Sequence, residues 1–229
     1  MTNIQRMMMA AAGVGGDTIE SLAPLVWFKA SGIVGATPVT AWTNSGSGGS
    51  GYDLDTVTGT AANLTKTTIN SVDVVDSSGS VRIETTAAQN ISGAYTAYLV
   101  AILDTTNAQR LTDDTVAAGS NRHAMFVLSG GPDWAFSGGS NISTVTADTA
   151  LHIWTVQFNG DATTKLTVGT DTVTGDAGSN SWDFATFFGR RDGGLLVNGR
   201  FAEFALFNSA QSDGDIATVQ AELSARFGL

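Results

Sequence analysis

The chain has 229 residues, of which 42% are hydrophobic and only 14% charged, with a formal net charge of −10. Such acidity argues against binding a phosphate backbone, and no apolar run reaches the length of a membrane-spanning helix. Cysteine is absent and the only histidines are His123 and His152, which excludes disulfides, thiol nucleophiles, iron–sulfur clusters and cysteine-based zinc sites.

Residues 1–22 stand apart from the rest. They are rich in Met, Ala and Gly and show no alternation. Met7–Gly16 has some character of a signal-peptide core, but it is short and barely preceded by positive charge. The preferred expectation is an N-terminal arm, either disordered or docked on an apolar partner through Met7, Met8, Met9 and Val14.

From residue 23 the pattern changes and predicts one domain running to Leu229. Leu25–Ala30 is a short apolar run of strand type, and Val39–Trp42 alternates. A Gly/Ser loop over Asn44–Gly51 leads into a second alternating stretch, Tyr52–Thr58. Val72–Asp76 and Val81–Glu84 flank a Ser-Ser-Gly break. Tyr95–Leu103, the longest apolar run, reads as a central strand because it is rich in aromatic and β-branched residues. Ala124–Leu128 and Asp133–Phe136 bracket the turn Ser129–Pro132. Leu151–Phe158 and Lys165–Val168 are joined through Asn159-Gly160, a strong hairpin dipeptide. Phe184–Gly189 and Phe201–Phe207 supply the last strands.

The chain then changes period. Ile216, Val219, Leu223 and Phe227 form one helical stripe, preceded by a Ser212/Asp215 capping spacing and followed by Gly228. About a dozen short strands separated by turns, closed by one short helix, predict an all-β sandwich or barrel.

The order of these pieces resembles the concanavalin A-like (laminin-G-like) jelly-roll domains, especially versions found in tailed-phage virion proteins. The resemblance is carried by Leu25–Ile33, by Trp42–Gly46 with Tyr52–Leu54, and by Val81–Glu84. It continues through His152–Trp154 with Asn159-Gly160, Phe188–Arg191, Asn198–Glu203 and Ala225–Leu229. Two positions depart from the pattern: Asn44 where the family often has Asp, and Asp213–Asp215 where it usually has Glu at the start of the last helix. The resemblance implies a two-sheet antiparallel jelly-roll sandwich with a short C-terminal helix. It also implies a non-enzymatic protein on a virion surface, assembled in the host cytoplasm and docked by its arm to other virion proteins and copies of itself. The alternative is a carbohydrate-binding module or adhesin for a host-surface glycan.

Glycosidases on this fold carry two glutamates flanking an aspartate on one strand, and Glu20, Glu84, Glu203 and Glu222 lack that spacing, so no catalytic residues are assigned. Structural roles are expected for Glu203 and Arg226. Asp53 and Asp55 share a strand face and, with Asp73 or Asp76, form a candidate calcium site; otherwise they are a solvated face and no cofactor is expected. Trp27, Trp42 and Trp154 read as core. Trp134 and Trp182 sit between Gly, Ser and Asn residues, where they could stack on a sugar, cover a neighbouring subunit or cap their own sandwich. His123 beside Arg122 reads as a surface pair, and Arg190–Asp192 as a salt-bridged turn.

Overall fold

The computed structural model describes residues 18–114, 123–129 and 133–229. The described part of the first half supplies β1 (Val26–Phe28), β2 (Ile33–Gly35), β3 (Val39–Trp42), β4 (Leu54–Gly59), β5 (Leu64–Ile69), β6 (Val72–Ser78), β7 (Val81–Ile91) and β8 (Tyr95–Leu103). The rest supplies β9 (Gln109–Arg110), β10 (Thr112–Asp114), β11 (His123–Val127), β12 (Asp133–Gly138), β13 (Asn141–Thr146), β14 (His152–Phe158), β15 (Thr164–Val168), β16 (Asp171–Gly175), β17 (Trp182–Phe187) and β18 (Asn198–Phe207). A short helix, Thr18–Ser21, and the C-terminal helix Asp213–Phe227 complete the set.

The strands form an antiparallel jelly-roll-like sandwich. The main sheet runs β16-β15-β14-β8-β18-β6-β5, with β1 added against β18. The second sheet runs β10-β17-β7-β4-β3-β2. A smaller third sheet, β13-β12-β11-β9, extends the cover over the core.

The main sheet is apolar on both faces, and this explains the unbroken run Tyr95–Leu103. Ala97, Leu99 and Ala101 face the sandwich core, while Tyr98 and Val100 face the C-terminal helix. The helix covers that outer face with Val219, Leu223 and Phe227, three of the four predicted stripe residues; Ile216 is half-buried beside them. The helix ends obey their local chemistry. Ser212 Oγ accepts from Asp215 N–H at 3.1 Å and donates to Asp215 Oδ2 at 2.7 Å, so Ser212 caps the helix and the aspartate side chain holds the capping hydroxyl in place. Gly228 takes a left-handed φ of 74° and donates its N–H to Ser224 O, closing the last turn.

A bulge in β18 decides what lies under the helix. Phe201 pairs with Ala101 but Glu203 pairs with Val100, so Ala202 is an extra residue on this strand. Strict alternation would put Phe201 and Glu203 on one face. Instead Phe201 and Phe204 both enter the sandwich core, and Ala202 joins the helix-side cluster. Glu203, 2% exposed, accepts from Trp27 Nε1 at 2.7 Å and from Arg226 Nη1 at 2.5 Å and 2.6 Å. Arg226 Nη2 reaches Glu222 Oε1 at 2.5 Å, and Glu222 Oε2 accepts from Ile19 N–H at 3.1 Å. The structural roles expected of Glu203 and Arg226 are therefore those of a buried ionic tie.

The expected boundary between arm and domain moves. Ile19 is fully buried in the cluster beneath the C-terminal helix, so residues 18–22 belong to the folded unit. Met7, Met8, Met9 and Val14 lie outside the described residues.

Asn44 shows why the first departure from the family pattern is tolerated. Its Oδ1 accepts from Trp27 N–H at 2.7 Å and Gly46 N–H at 2.9 Å, and its Nδ2 donates to Gly49 O at 3.0 Å and Leu25 O at 3.3 Å. An aspartate would accept as well but has no donor for the carbonyls, and it would sit beside Asp53, whose Oδ1 accepts from Asn44 N–H at 2.7 Å.

Two stability predictions follow from these contacts. Asn44→Asp is expected to cost about 1–3 kcal/mol, the price of carbonyls left without a donor, read by urea denaturation at pH 7. Arg226→Met strands the Glu203 carboxylate and is expected to cost toward the lower end of roughly 3–5 kcal/mol, because Arg226 keeps some solvent contact. The double variant Glu203→Leu/Arg226→Met should recover part of that loss; a single-variant cost below about 1 kcal/mol would show that water reaches Glu203.

Candidate functional site

Both tryptophans expected on polar loops are strand residues with no ring face free. Trp134 lies on β12 opposite Val127, is 2% exposed, and packs edge-on against Trp154 at 4.7 Å between ring centroids. Trp182 opens β17, is 1% exposed, and packs against Tyr95 and Phe184 at 5.5 Å and 5.3 Å. Both rings point inward, and Ser137 and Gly138 beside Trp134 are themselves residues of β12. Neither can stack on a sugar as placed, so capping their own sandwich is the reading that the geometry keeps.

His123 is also corrected. It starts β11 fully buried, with Nδ1 3.0 Å from Tyr95 Oη and its ring edge-on to Phe158 at 4.8 Å. Burial pushes its pKa down to about 4, against weaker upward pulls from the Asn180 backbone and Asp183. The Arg190–Asp192 turn is ion-paired as expected, with Arg190 Nε donating to Asp192 Oδ1 at 2.5 Å.

The carboxylates named for calcium are held apart. Asp53 closes the Asn44 loop, and Asp55 accepts from the Thr86 hydroxyl at 2.8 Å on the second sheet. Asp73 pairs with Lys66 at 2.8 Å on the main sheet, and Asp76 on the same strand lies near Arg200 and Asp104. Among the described residues no group of three or more His, Asp or Glu side chains is placed to hold a metal ion.

The structure offers a different site, a groove along one flank of the C-terminal helix. On β14, Trp154, Val156 and Phe158 face the core, so alternation turns Thr155 and Gln157 outward; β15 likewise turns Lys165 and Thr167 outward. Register then aligns them: Thr155 pairs with Thr167, Thr167 with Thr172, and Gln157 with Lys165. The helix supplies the facing wall through Asp213, Ile216, Ala217 and Gln220, enclosing about 250 Å³.

On the other side of Gln220 lies a second cavity of about 380 Å³, lined by Leu151, His152, Ile153, Thr170, Ser224 and Leu229 among others. Gln220 borders both halves and donates from Nε2 to Thr155 Oγ1 at 2.8 Å. Gly169 makes the bend between β15 and β16 with a φ of +59°, and a Cβ there would come within 3.0 Å of His152 Nδ1. Other polar groups are fixed in pairs. Gln157 Nε2 donates to Gln211 O at 2.7 Å, the Thr167 and Thr172 hydroxyls are 2.8 Å apart, and Lys165 Nζ lies 3.1 Å from Asp213 Oδ1. Such a surface offers rigid donors and acceptors on one side and aliphatic faces on the other, which suits a polyhydroxylated ligand.

Sequence reasoning missed this groove. The alternating Thr, Gln and Lys of β14 and β15 were visible, but nothing in the chain tells which flank of the helix stays open.

No protein-family profile and no curated protein matches the sequence. Solved structures do resemble it. One is a binding domain of botulinum neurotoxin DC in complex with SialylT, with 14% identity over 90% of this chain and 52% of that one, and a TM-score of 0.58. The chain thus spans about half the length of the neurotoxin binding domains it matches. Another is a GH54 α-L-arabinofuranosidase soaked with a cyclic sulfate inhibitor, 12% identical over 92% of this chain and 65% of that one, with a TM-score of 0.65. A third is domain 4 of AbnA, a GH43 extracellular arabinanase from Geobacillus stearothermophilus, in complex with arabinotriose; it is 10% identical over 72% of this chain and 87% of that one, with a TM-score of 0.58. At these identities the likeness establishes the fold, a jelly-roll-like β-sandwich, and the three carry no phage link in what they are named for.

The buried imidazole sets a pH dependence. With a folded pKa of about 4 and an ordinary value of 6.5, His123 binds its proton more readily in the unfolded chain. The stability it contributes is complete above about pH 6.5 and is lost as the pH falls toward 4, up to roughly 3 kcal/mol. Urea denaturation from pH 7 to pH 4 should show this loss in the parent and a shallower one in His123→Gln, whose side chain does not titrate. Parallel pH profiles would refute the assignment.

Proposed function

We propose that this domain is a non-enzymatic glycan-binding module and that the groove beside the C-terminal helix is its binding surface. The observation that carries the reading is the outward row Gln157, Thr167 and Thr172 on neighbouring strands, faced by Gln220 of the helix, beside aliphatic carbon at Ile216 and Leu229. Sugars present the same alternation of hydroxyls and C–H faces. The fold adds support, because a domain of AbnA that it resembles was solved with arabinotriose bound.

A binding role also suits the glutamates. Glu203 and Glu222 are tied to Arg226, and Glu84 accepts from Thr58 Oγ1 at 2.9 Å with Arg82 at 3.5 Å. The virion role expected from the resemblance rests on docking residues, Met7, Met8, Met9 and Val14, that lie outside the described residues, and the structural neighbours lend it no support. The glycan-binding alternative is therefore preferred.

A glycan array probed with the intact chain, followed by calorimetry on the best hit, tests the proposal. Gln220→Ala should weaken binding about tenfold, the scale of one lost hydrogen bond to a desolvated ligand. Ser224→Phe, on the helix wall of the second cavity, should fill part of it and weaken binding further, while Thr56→Ala on the other sheet should leave it unchanged. An array without hits, or groove variants that bind like the parent, would overturn the reading.

A further inference from the structure

We infer that the groove is selective for uncharged oligosaccharides and rejects sugars that carry a carboxylate. The inference rests on the glycan-binding reading and adds the ligand class.

Two lining residues can carry positive charge, and each already has an acidic neighbour. Lys165 Nζ is 3.1 Å from Asp213 Oδ1, and His152 Nε2 is 2.7 Å from Asp148 Oδ1. Desolvation, the largest single influence, pushes the Asp148 carboxyl up, but the hydrogen bonds from Ala150 N–H and His152 together outweigh it and hold it below its ordinary pKa, so it is ionised at neutral pH. The anions are also the more exposed partners: the Asp213 side chain is 84% exposed against 40% for Lys165, and Asp148 is 57% exposed against 19% for His152. Asp171, exposed at the start of β16, adds a third carboxylate near the bend at Gly169.

An incoming ligand therefore meets carboxylates before it meets a cation. A sugar carboxylate could reach Lys165 only by placing itself beside Asp213, two anions around one ammonium, on a chain whose net charge is −10. A neutral sugar has no such conflict. One hydroxyl can accept from Lys165 while its neighbour donates to Asp213, so the ion pair becomes a donor–acceptor clamp for a vicinal diol. The two cavities meeting at Gln220 suit a chain of at least two sugar units, with the less polar face toward Ile216 and Leu229.

The test uses matched probes: arabinotriose and other neutral trisaccharides, lactose against 3′-sialyllactose, and trisaccharides whose terminal hydroxymethyl group has been oxidised to a carboxylate. Binding is measured by calorimetry at low and high salt. A neutral member should bind at least tenfold more tightly than its charged counterpart at low salt, and the gap should shrink as salt screens the acidic rim. Asp213→Asn leaves Lys165 without its counter-ion and should narrow the gap several-fold; an unchanged melting temperature confirms that the helix start is intact. Equal or tighter binding of the charged probes, or a preference untouched by Asp213→Asn, would overturn the selectivity while leaving glycan binding in place. Binding by neither class would remove the glycan-binding reading and the selectivity with it.

Discussion

A single carboxylate, Glu203, holds the layers of this protein in register. It is buried between the main sheet and the C-terminal helix, where an unpaired charge would cost several kcal/mol. The bulge at Ala202 is what makes the arrangement possible. Were residues 201–204 to alternate regularly, the carboxylate would point into the sandwich core beside Phe201, and Phe204 would turn out of it toward the helix. With the bulge, the charge meets Arg226 and the Trp27 indole, and the strand still delivers its phenylalanines inward. A defect in the ladder thus separates two apolar clusters and supplies a buried polar point at which the helix is anchored.

Anchoring on that side has a consequence on the other. Arg226 and Glu222 lie on one flank of the helix and tie it to β18 and to the short helix at Thr18–Ser21. Asp213, Ala217, Gln220 and Ser224 lie on the opposite flank, above the outward side chains of β14 and β15. Buried ion pairs pin the helix along one edge; along the other Gln220 and Asp213 reach across to Thr155 and Lys165, and the open angle around those contacts is the groove. Its polarity is not a separate invention. A strand buried on its inner face and only partly covered on its outer face must carry alternating apolar and polar residues, and the polar set becomes the groove floor.

Much of the fold was legible because its signals are local. Alternation, the Asn159-Gly160 hairpin, the Ser212/Asp215 cap and the Gly228 stop each act within a few residues, and each appears where the sequence placed it. Even the double-sided burial of Tyr95–Leu103 was foreshadowed by its lack of alternation. What escaped were decisions made across the chain. Trp134 and Trp182 have polar neighbours in sequence, yet their partners Trp154 and Tyr95 lie on other strands. His123 looked like a surface residue because Arg122 precedes it, while the residues that bury it, Tyr95, Phe136 and Phe158, are remote along the chain. The groove is harder still to read, since it depends on where a helix rests on a sheet.

The same tie bears on how the molecule comes apart. Trp27 and Glu203 are 176 positions apart, and Ile19 and Glu222 are 203 apart, yet both contacts belong to one network. A sandwich whose first and last elements are clasped together cannot fray strand by strand from a loose terminus. Opening either end means breaking a buried ion pair, lifting the helix and uncovering Tyr98 and Phe207 in one step. That favours an all-or-none transition, with little population of partly open forms whose bare sheet face could pair with another molecule.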